Sequence, residues 1–160
     1  MAIGRLDEDS EGLLLLTTDG KLSHHILKEG GIEKQYFAQV QGTPSSDAVA
    51  ALSTGVKISL PKGESHFARA FDVHALASAP RFPPRTKRVR DTQKKLDGTV
   101  VPVPTTWLSL TLTEGKYHQV RKMTAAVGHP TLRLVRVRVG SVGLGDMAPG
   151  DVQTWDGKIM

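Results

Sequence analysis

The apolar residues of this chain fall into short stretches, some alternating as in a strand and others spaced as on one face of a helix. This pattern restricts the fold more than any other feature of the sequence. Alternating or continuous apolar patterns predict strands at residues 13–18, 36–41, 67–73, 106–113 and 132–139. Helical spacing predicts helices after Asp19-Gly20, after Thr43-Pro44 and at 118–127. Strands outnumber helices and follow no strict strand-helix-strand repeat. We therefore expect an α+β fold with a mixed, largely antiparallel sheet and flanking helices.

The same patterns predict which side chains face the core. In residues 67–73 the large side chains alternate with Ala68 and Ala70, which predicts that Phe67 and Phe71 face inward. In residues 132–139 two arginines, Arg136 and Arg138, fall on one face of the predicted strand. Because charged side chains are rarely buried, we expect both arginines to face solvent or a bound polyanion.

Composition limits the class of protein. A chain of 160 residues is long enough for one domain with a single core. It contains no cysteine, so disulfides and thiolate metal sites are excluded. Its longest apolar run, residues 13–16, is far shorter than the roughly 20 residues of a membrane span. We expect a monomeric cytoplasmic protein that does not enter a membrane.

Positive charge is concentrated in the second half of the chain. Residues 69–138 carry 14 Lys/Arg against 4 Asp/Glu. Within them, residues 80–104 form a proline-rich segment that we expect to be a long basic loop or an irregular hairpin. Such a cluster favours a polyanionic partner, since each cation that meets a phosphate releases counterions. A solvated basic face without a partner is the alternative.

A second cluster, of negative charge, lies near the start of the chain. Residues 4–12 read Gly-Arg-Leu-Asp-Glu-Asp-Ser-Glu-Gly, with four acids in five positions directly before an apolar run. The first positions match an EF-hand calcium loop, but its twelfth position would be Thr18 where a bidentate glutamate is required. A calcium site is therefore disfavoured, and we expect no metal.

Four segments in order resemble the motifs of one enzyme family. These are residues 4–20, 33–36 (Glu-Lys-Gln-Tyr), 114–123 (Glu-Gly-Lys-Tyr-His-Gln-Val-Arg-Lys-Met) and 128–140. They resemble the bacterial ribosomal pseudouridine synthases of the RsuA type. Residues 104–108 and the basic segment before them most resemble the branch of pseudouridine synthase E, which acts on 23S rRNA. The resemblance implies an isomerase that converts a uridine in ribosomal RNA to pseudouridine without a metal, nucleotide or organic cofactor.

The resemblance also implies roles for single residues. Asp7 would be the catalytic carboxylate, and Arg121 would pair with it and hold it ionised. Tyr36 would stack on the target base and is a candidate for the later proton removal, while Leu134 would pack against the site. Without the resemblance, a structural ion pair is the favoured interpretation of Asp7 and Arg121, and a core residue is that of Tyr36. The rival function is a non-catalytic rRNA-binding or ribosome-associated module.

Basic residues in and around the motifs are the candidates for RNA contact. They are Arg5, Arg81, Arg85, Lys87, Arg88, Arg90, Lys116, Lys122, Arg136 and Arg138. Members of the family place a strand and a helix before the first motif, whereas three residues precede it here. We therefore expect residues 1–160 to form one catalytic domain that lacks this N-terminal strand and helix.

Overall fold

The computed structural model describes residues 1–28, 30–85, 87 and 89–159. The strands are β1 (Ser10–Gly12), β2 (Lys34–Gln41), β3 (Val56–Ser59), β4 (Ser65–Ala68), β5 (Phe71–Ala75), β6 (Thr92–Lys94), β7 (Val100–Pro102), β8 (Thr105–Leu112), β9 (Thr131–Val139) and β10 (Val142–Gly143). The α-helices are α1 (Gly20–Lys28), α2 (Ser46–Thr54) and α3 (Gln119–Ala126), and Pro61–Gly63 form a 3-10 turn. Within the described residues, no helix has the length and apolarity needed to cross a membrane.

The main sheet has the strand order β1-β9-β2-β8-β5, with β10 paired to the end of β9. Strand β1 runs parallel to β9, and the other pairings are antiparallel. Two short antiparallel pairs, β3-β4 and β6-β7, lie outside this sheet. This sheet is mixed and largely antiparallel, as predicted. The three predicted helices are also present, so the predicted α+β fold is confirmed.

The core has two parts. The larger part lies where α2 and α3 meet the sheet, and its fully buried members include Leu52, Leu108 and Met123. The smaller part surrounds α1 and contains Leu13 and Ile26. The first part fixes the central strands, and the second fixes the chain that leads into and out of the acidic segment.

The predicted strand at 13–18 is wrong in its position. Regular pairing with β9 occurs earlier, in β1, and ends at Gly12. The following leucines keep an alternating burial pattern, with Leu13 and Leu15 buried and Leu14 and Leu16 exposed. The N-terminal residues pair with this stretch, since Ile3 N donates to Leu15 O at 2.8 Å. The apolar pattern therefore reflected one buried face of an extended segment that forms an isolated bridge, between Ala2 and Leu16, instead of a regular strand.

The predicted faces of residues 67–73 are also wrong. The segment is divided into β4 and β5, and Ala68 and Ala70 are buried, whereas Phe67 is 62% and Phe71 47% exposed. The Phe67 ring lies over Gly55, where a Cβ atom would come within 2.2 Å of it. The small alanines face the core because the chain passes from one sheet to the other there, close to other backbone segments.

The basic segment of residues 80–104 includes the β6-β7 hairpin and crosses the back of the main sheet. Phe82 packs against Phe37 and Trp107, with ring centroids 6.2 and 5.7 Å apart. Phe37 alternates with Tyr36 along β2, so the two rings point to opposite faces of the sheet. The start of the basic segment is thus anchored on the face opposite to Tyr36.

Candidate active site

Asp7 lies in a tight turn that leads directly into the sheet. Ser10 N donates to Asp7 O at 2.9 Å, and β1 begins at Ser10, which lies opposite Leu134 of β9. At the end of β1, Gly12 has φ +103°, and a Cβ atom there would lie 2.3 Å from Arg136 O. Glycine is required at this position because both the backbone angle and the close strand exclude a side chain. The turn that carries Asp7 is therefore held rigidly against β9.

A cleft of about 440 Å³ opens beside Asp7, between the first turn of the chain, the strands β2 and β9, and the start of α3. The Asp7 side chain is 25% exposed. Two residues predicted for the site, Tyr36 and Leu134, line the same cleft. Its other polar lining residues are Arg5, Ser10, Lys34, Lys116, Tyr117, Gln119 and Arg136.

His118 is the side chain that the structure places beside Asp7. Its Nε2 atom lies 3.6 Å from Asp7 Oδ1. The residue precedes α3 in a left-handed conformation, φ 51°, and its ring stacks on Tyr117 at 4.0 Å between centroids. Sequence reasoning missed this residue, although it lies within the third motif. A non-glycine residue at positive φ is strained, and such positions concentrate at functional sites.

The expected direct pair between Asp7 and Arg121 is wrong in this structure. Among the described residues, no ion pair joins them; Arg121 Nη2 instead donates to Asp9 O at 2.7 Å and Nη1 to Thr131 O at 3.3 Å. Burial lowers the pKa of Arg121, and the charges of Asp9 and Asp7 oppose this. Arg121 thus holds the turn that carries Asp7, on the same side of the domain.

Tyr36 is half-buried, and its hydroxyl faces charged groups of both signs. Burial raises the pKa of Tyr36, the charge of Arg136 and a hydrogen bond from it lower that pKa, and the charge of Asp7 raises it. The phenol therefore shares the cleft with the buried arginine and the candidate catalytic carboxylate. Leu134, 4% exposed, supplies an apolar wall of the cleft, as the resemblance implied.

The prediction that Arg136 faces solvent is wrong. Arg136 is 5% exposed, and its Nε donates to Leu13 O at 2.8 Å. Lys34, a second cation of the cleft, was also missed, although it lies in the second motif two residues before Tyr36. Burial and then the nearby Arg136 charge lower the pKa of Lys34. An alternating strand pattern could not find either residue, because it assigns every arginine and lysine to the solvent side.

The other three acids of the first motif pair with basic residues. Lys87 Nζ lies 2.6 Å from Asp9 and 3.3 Å from Glu8, and this pairing lowers the pKa of Asp9. Arg133 contacts both oxygens of Glu11, at 2.8 and 2.9 Å, and Arg85 lies 3.3 Å from the same carboxylate. No cluster of potential metal ligands occurs in the described part of the chain. Asp7 is the acid of this motif that faces the cleft.

The candidate RNA-contact residues separate into two groups. Arg5 and Lys116 are exposed at the cleft, and Arg81 and Arg90 are exposed in the basic segment. The others have partners within the protein: Arg85 and Lys87 bind the acidic turn, Lys122 bonds Ser59 O and lies 4.9 Å above the Tyr117 ring, and Arg138 pairs with Glu33. Arg88 lies outside the described residues.

Comparison with known proteins shows which family this chain is similar to. Residues 1–126 match the family described as RNA pseudouridylate synthase. The chain is 42% identical over 160 residues to the ribosomal large subunit pseudouridine synthase E of Xanthomonas campestris pv. campestris, covering 99% of this chain and 79% of that protein. It is 45% identical over 149 residues to the protein of the same name in Xanthomonas axonopodis pv. citri, covering 92% of this chain and 72% of that protein.

A solved structure gives the same result for the fold. The crystal structure of a pseudouridylate synthase superposes with a TM-score of 0.62 at 30% sequence identity. The match covers 89% of this chain and 50% of the solved chain. The present chain thus spans half the length of that protein.

Proposed function

The chain belongs to the RNA pseudouridylate synthase family of isomerases, and from this premise we propose that it converts a specific uridine of 23S ribosomal RNA to pseudouridine. Asp7 is the proposed catalytic carboxylate. The observation that carries this proposal is the position of Asp7 in a cleft that also contains Tyr36 and Leu134. The family prediction from the four motifs is confirmed by these matches, and the roles of individual residues are part of the proposal.

The reaction requires that one bond of the nucleotide break and another form at the same sugar carbon. The bond from C1′ to N1 of uracil breaks, the ring rotates, and C5 bonds to C1′; C5 then loses a proton and N1 gains one. Asp7 initiates the cleavage, and Tyr36 stacks on the base. The Tyr36 hydroxyl accepts the C5 proton as it gives up its own proton to solvent, and N1 takes a proton from solvent. Proton and electron counts balance without an oxidant or reductant, so we propose that no cofactor takes part.

Two unsatisfied polar atoms support the location of the reaction. Ser10 Oγ and Arg121 Nε are buried and have no hydrogen-bond partner among the described residues. Such atoms are rare in folded proteins and call for a specific explanation. Both flank the turn that carries Asp7, and Ser10 lines the cleft itself. We propose that they gain partners when the ribose and base are bound.

The proposed substrate is RNA with an extruded uridine, since the reacting atoms are inaccessible in a stacked helix. Exposed cations at the cleft, Arg5 and Lys116, and in the basic segment, Arg81 and Arg90, suit contact with phosphates. The large ribosomal subunit is proposed because the two Xanthomonas relatives are named for it. We also propose that the protein acts as a monomer in the cytoplasm.

Mapping pseudouridine in ribosomal RNA tests this function. Cells that lack the protein should lose one modification in 23S rRNA, and re-expression should restore it. A chain carrying Glu8→Gln, whose side chain is 92% exposed, serves as the matched acidic-motif control and should restore the modification as well. Loss of a site in 16S rRNA would contradict the subunit assignment. An unchanged pseudouridine map would favour the non-catalytic rRNA-binding module.

A further inference from the structure

Arg136 occupies a junction between the two chain segments that carry the proposed chemistry. It lies on β9, opposite Gly12 of β1 and opposite Tyr36 of β2. The pairing of β2 with β9 shifts register between Gln35 and Tyr36, directly at this point. One buried residue therefore borders both the strand that follows Asp7 and the strand that carries Tyr36.

On one side, Arg136 holds the end of the segment that carries Asp7. Its backbone oxygen accepts from Leu13 N at 2.8 Å, and its side-chain Nε donates to Leu13 O at 2.8 Å. Both polar groups of Leu13 are thus bound by the same residue. The close approach is possible because Gly12, adjacent to Leu13, has no side chain.

On the other side, the guanidinium faces the cleft. Arg136 and Tyr36 are cross-strand partners that line the same cleft, and the Arg136 charge acts to lower the pKa of both Tyr36 and Lys34. A buried cation without an acidic partner is costly, because its desolvation is not offset by an ion pair. Among the described residues, no salt bridge involves Arg136, and its Nε donates to the backbone oxygen of Leu13. A costly cation of this kind beside a proposed reaction centre suggests a task in the reaction.

We propose that Arg136 is a positioning residue that fixes the Tyr36 hydroxyl relative to the Asp7 turn. The inference rests on the proposed function for the roles of Tyr36 and Asp7. Arg136 does not touch the reacting atoms in this assignment; it acts through Tyr36 on one side and through Leu13 on the other. A lysine cannot replace it fully, because a single ammonium group lacks the planar fork that reaches both acceptors.

Fluorine NMR of 3-fluorotyrosine-labelled protein tests the contact directly. The sequence contains only Tyr36 and Tyr117, so two signals are expected, and Tyr36→Phe identifies one of them. Fluorination lowers the phenol pKa and moves the titration into a range milder for the fold. In Arg136→Gln the pKa of Tyr36 should rise, because the charge and the hydrogen bond that lower it are removed. The Tyr117 signal is the internal reference for the spectra.

Kinetic measurements with the RNA substrate test whether the position of the Tyr36 hydroxyl affects turnover. Arg136→Gln should reduce kcat for pseudouridine formation by roughly tenfold or more, while KM changes little, since the defect is in the geometry of a proton-transferring group. Arg136→Lys retains the charge and should recover part of the loss. If Arg136→Gln does not fold, Arg136→Lys compared with wild type gives the same two readouts with smaller shifts.

Arg69→Gln is the control, because it also removes one arginine charge but Arg69 is exposed and does not line the cleft. It should leave the pKa of Tyr36 and kcat near wild type. An unchanged Tyr36 pKa in both Arg136 variants would overturn the inference while the proposed function stands. Wild-type protein that forms no pseudouridine would overturn the proposed function, whereas the titration, which needs no RNA, would still report the contact.

Discussion

The cleft beside Asp7 and the basic segment of residues 80–104 differ in how they hold charged side chains. In the cleft, Arg136 is buried, donates to the backbone oxygen of Leu13 and lies opposite Tyr36, so its charge is held in a fixed position. In the basic segment, Lys87 is 56% exposed and pairs with acids of the first motif, while Arg81 and Arg90 remain exposed. The cleft is built on strands, and the basic segment is largely irregular.

This difference between buried and exposed charges suits the two regions to different tasks, catalysis in the cleft and RNA contact in the basic segment. Bond-breaking chemistry requires groups held within a few tenths of an ångström, which paired strands provide. Contact with a phosphate backbone tolerates movement, because it depends on charge more than on geometry. The ion pairs of Lys87 with Glu8 and Asp9, and of Arg85 with Glu11, join the two regions.

Substitution of Tyr36 should produce a large effect on the cleft side of the comparison. Tyr36→Phe should retain RNA affinity but lower turnover by roughly 10²–10⁴-fold, because the ring remains and the proton-transferring hydroxyl is lost. Tyr36→Ala should also weaken RNA binding by about 1–3 kcal/mol through loss of stacking. Single-turnover pseudouridine assays and binding titrations measure the two effects. Full activity of Tyr36→Ala would show that this residue is ordinary core.

A stability measurement tests whether the cleft is as rigid as described. Gly12→Ala should lower the free energy of unfolding by roughly 3 kcal/mol or more, because a methyl group would meet Arg136 O in a strained backbone. Gly31→Ala is the control, with φ +82° and no atom within 4 Å of the added carbon, and should cost about 1 kcal/mol. Urea unfolding provides both values. Equal losses would mean that the strands do not approach so closely.

A smaller effect is expected in the basic segment, and it concerns binding alone. Replacing Lys87, Arg88 and Arg90 by glutamine should flatten the salt dependence of RNA affinity by up to about one unit of slope per lost phosphate contact. Turnover of bound RNA should change much less. The control replaces Lys57, Lys62 and Lys158, three exposed lysines outside the segment, and removes the same charge. Identical slopes in the two triple variants would place the contact on the cleft rim.

The sequence was sufficient for the elements and for much of the site. The central strands and the three helices follow from periodicity, and the structure places Asp7, Tyr36 and Leu134, three residues of the motifs, in one cleft. Local periodicity failed for residues 67–73, because the alanines face inward where the chain changes sheets. It failed for residues 13–18 because an extended segment with one buried face need not form a regular strand.

The missed side-chain contacts have a common physical cause. Whether Arg136 bonds Leu13 or solvent depends on a neighbouring strand 123 residues away in sequence. Whether Arg121 reaches Asp7 or the Asp9 carbonyl depends on differences of a few ångströms between α3 and the first turn. His118 gains its place beside Asp7 from a backbone conformation that residue type alone does not predict. Long-range geometry of this kind is set by packing and not by pattern.

The most direct test of the central claim is pseudouridine formation by Asp7→Asn. Asparagine has nearly the same shape as aspartate but neither its charge nor its basicity, so the variant should fold and bind RNA yet form no detectable pseudouridine. Mass spectrometry of the protein must show that the asparagine has not deamidated. Asp9→Asn, which removes a carboxylate two residues away that pairs with Lys87, should retain activity as the matched control. Pseudouridine formation by Asp7→Asn at a rate near wild type would contradict the assignment of Asp7 as the catalytic carboxylate.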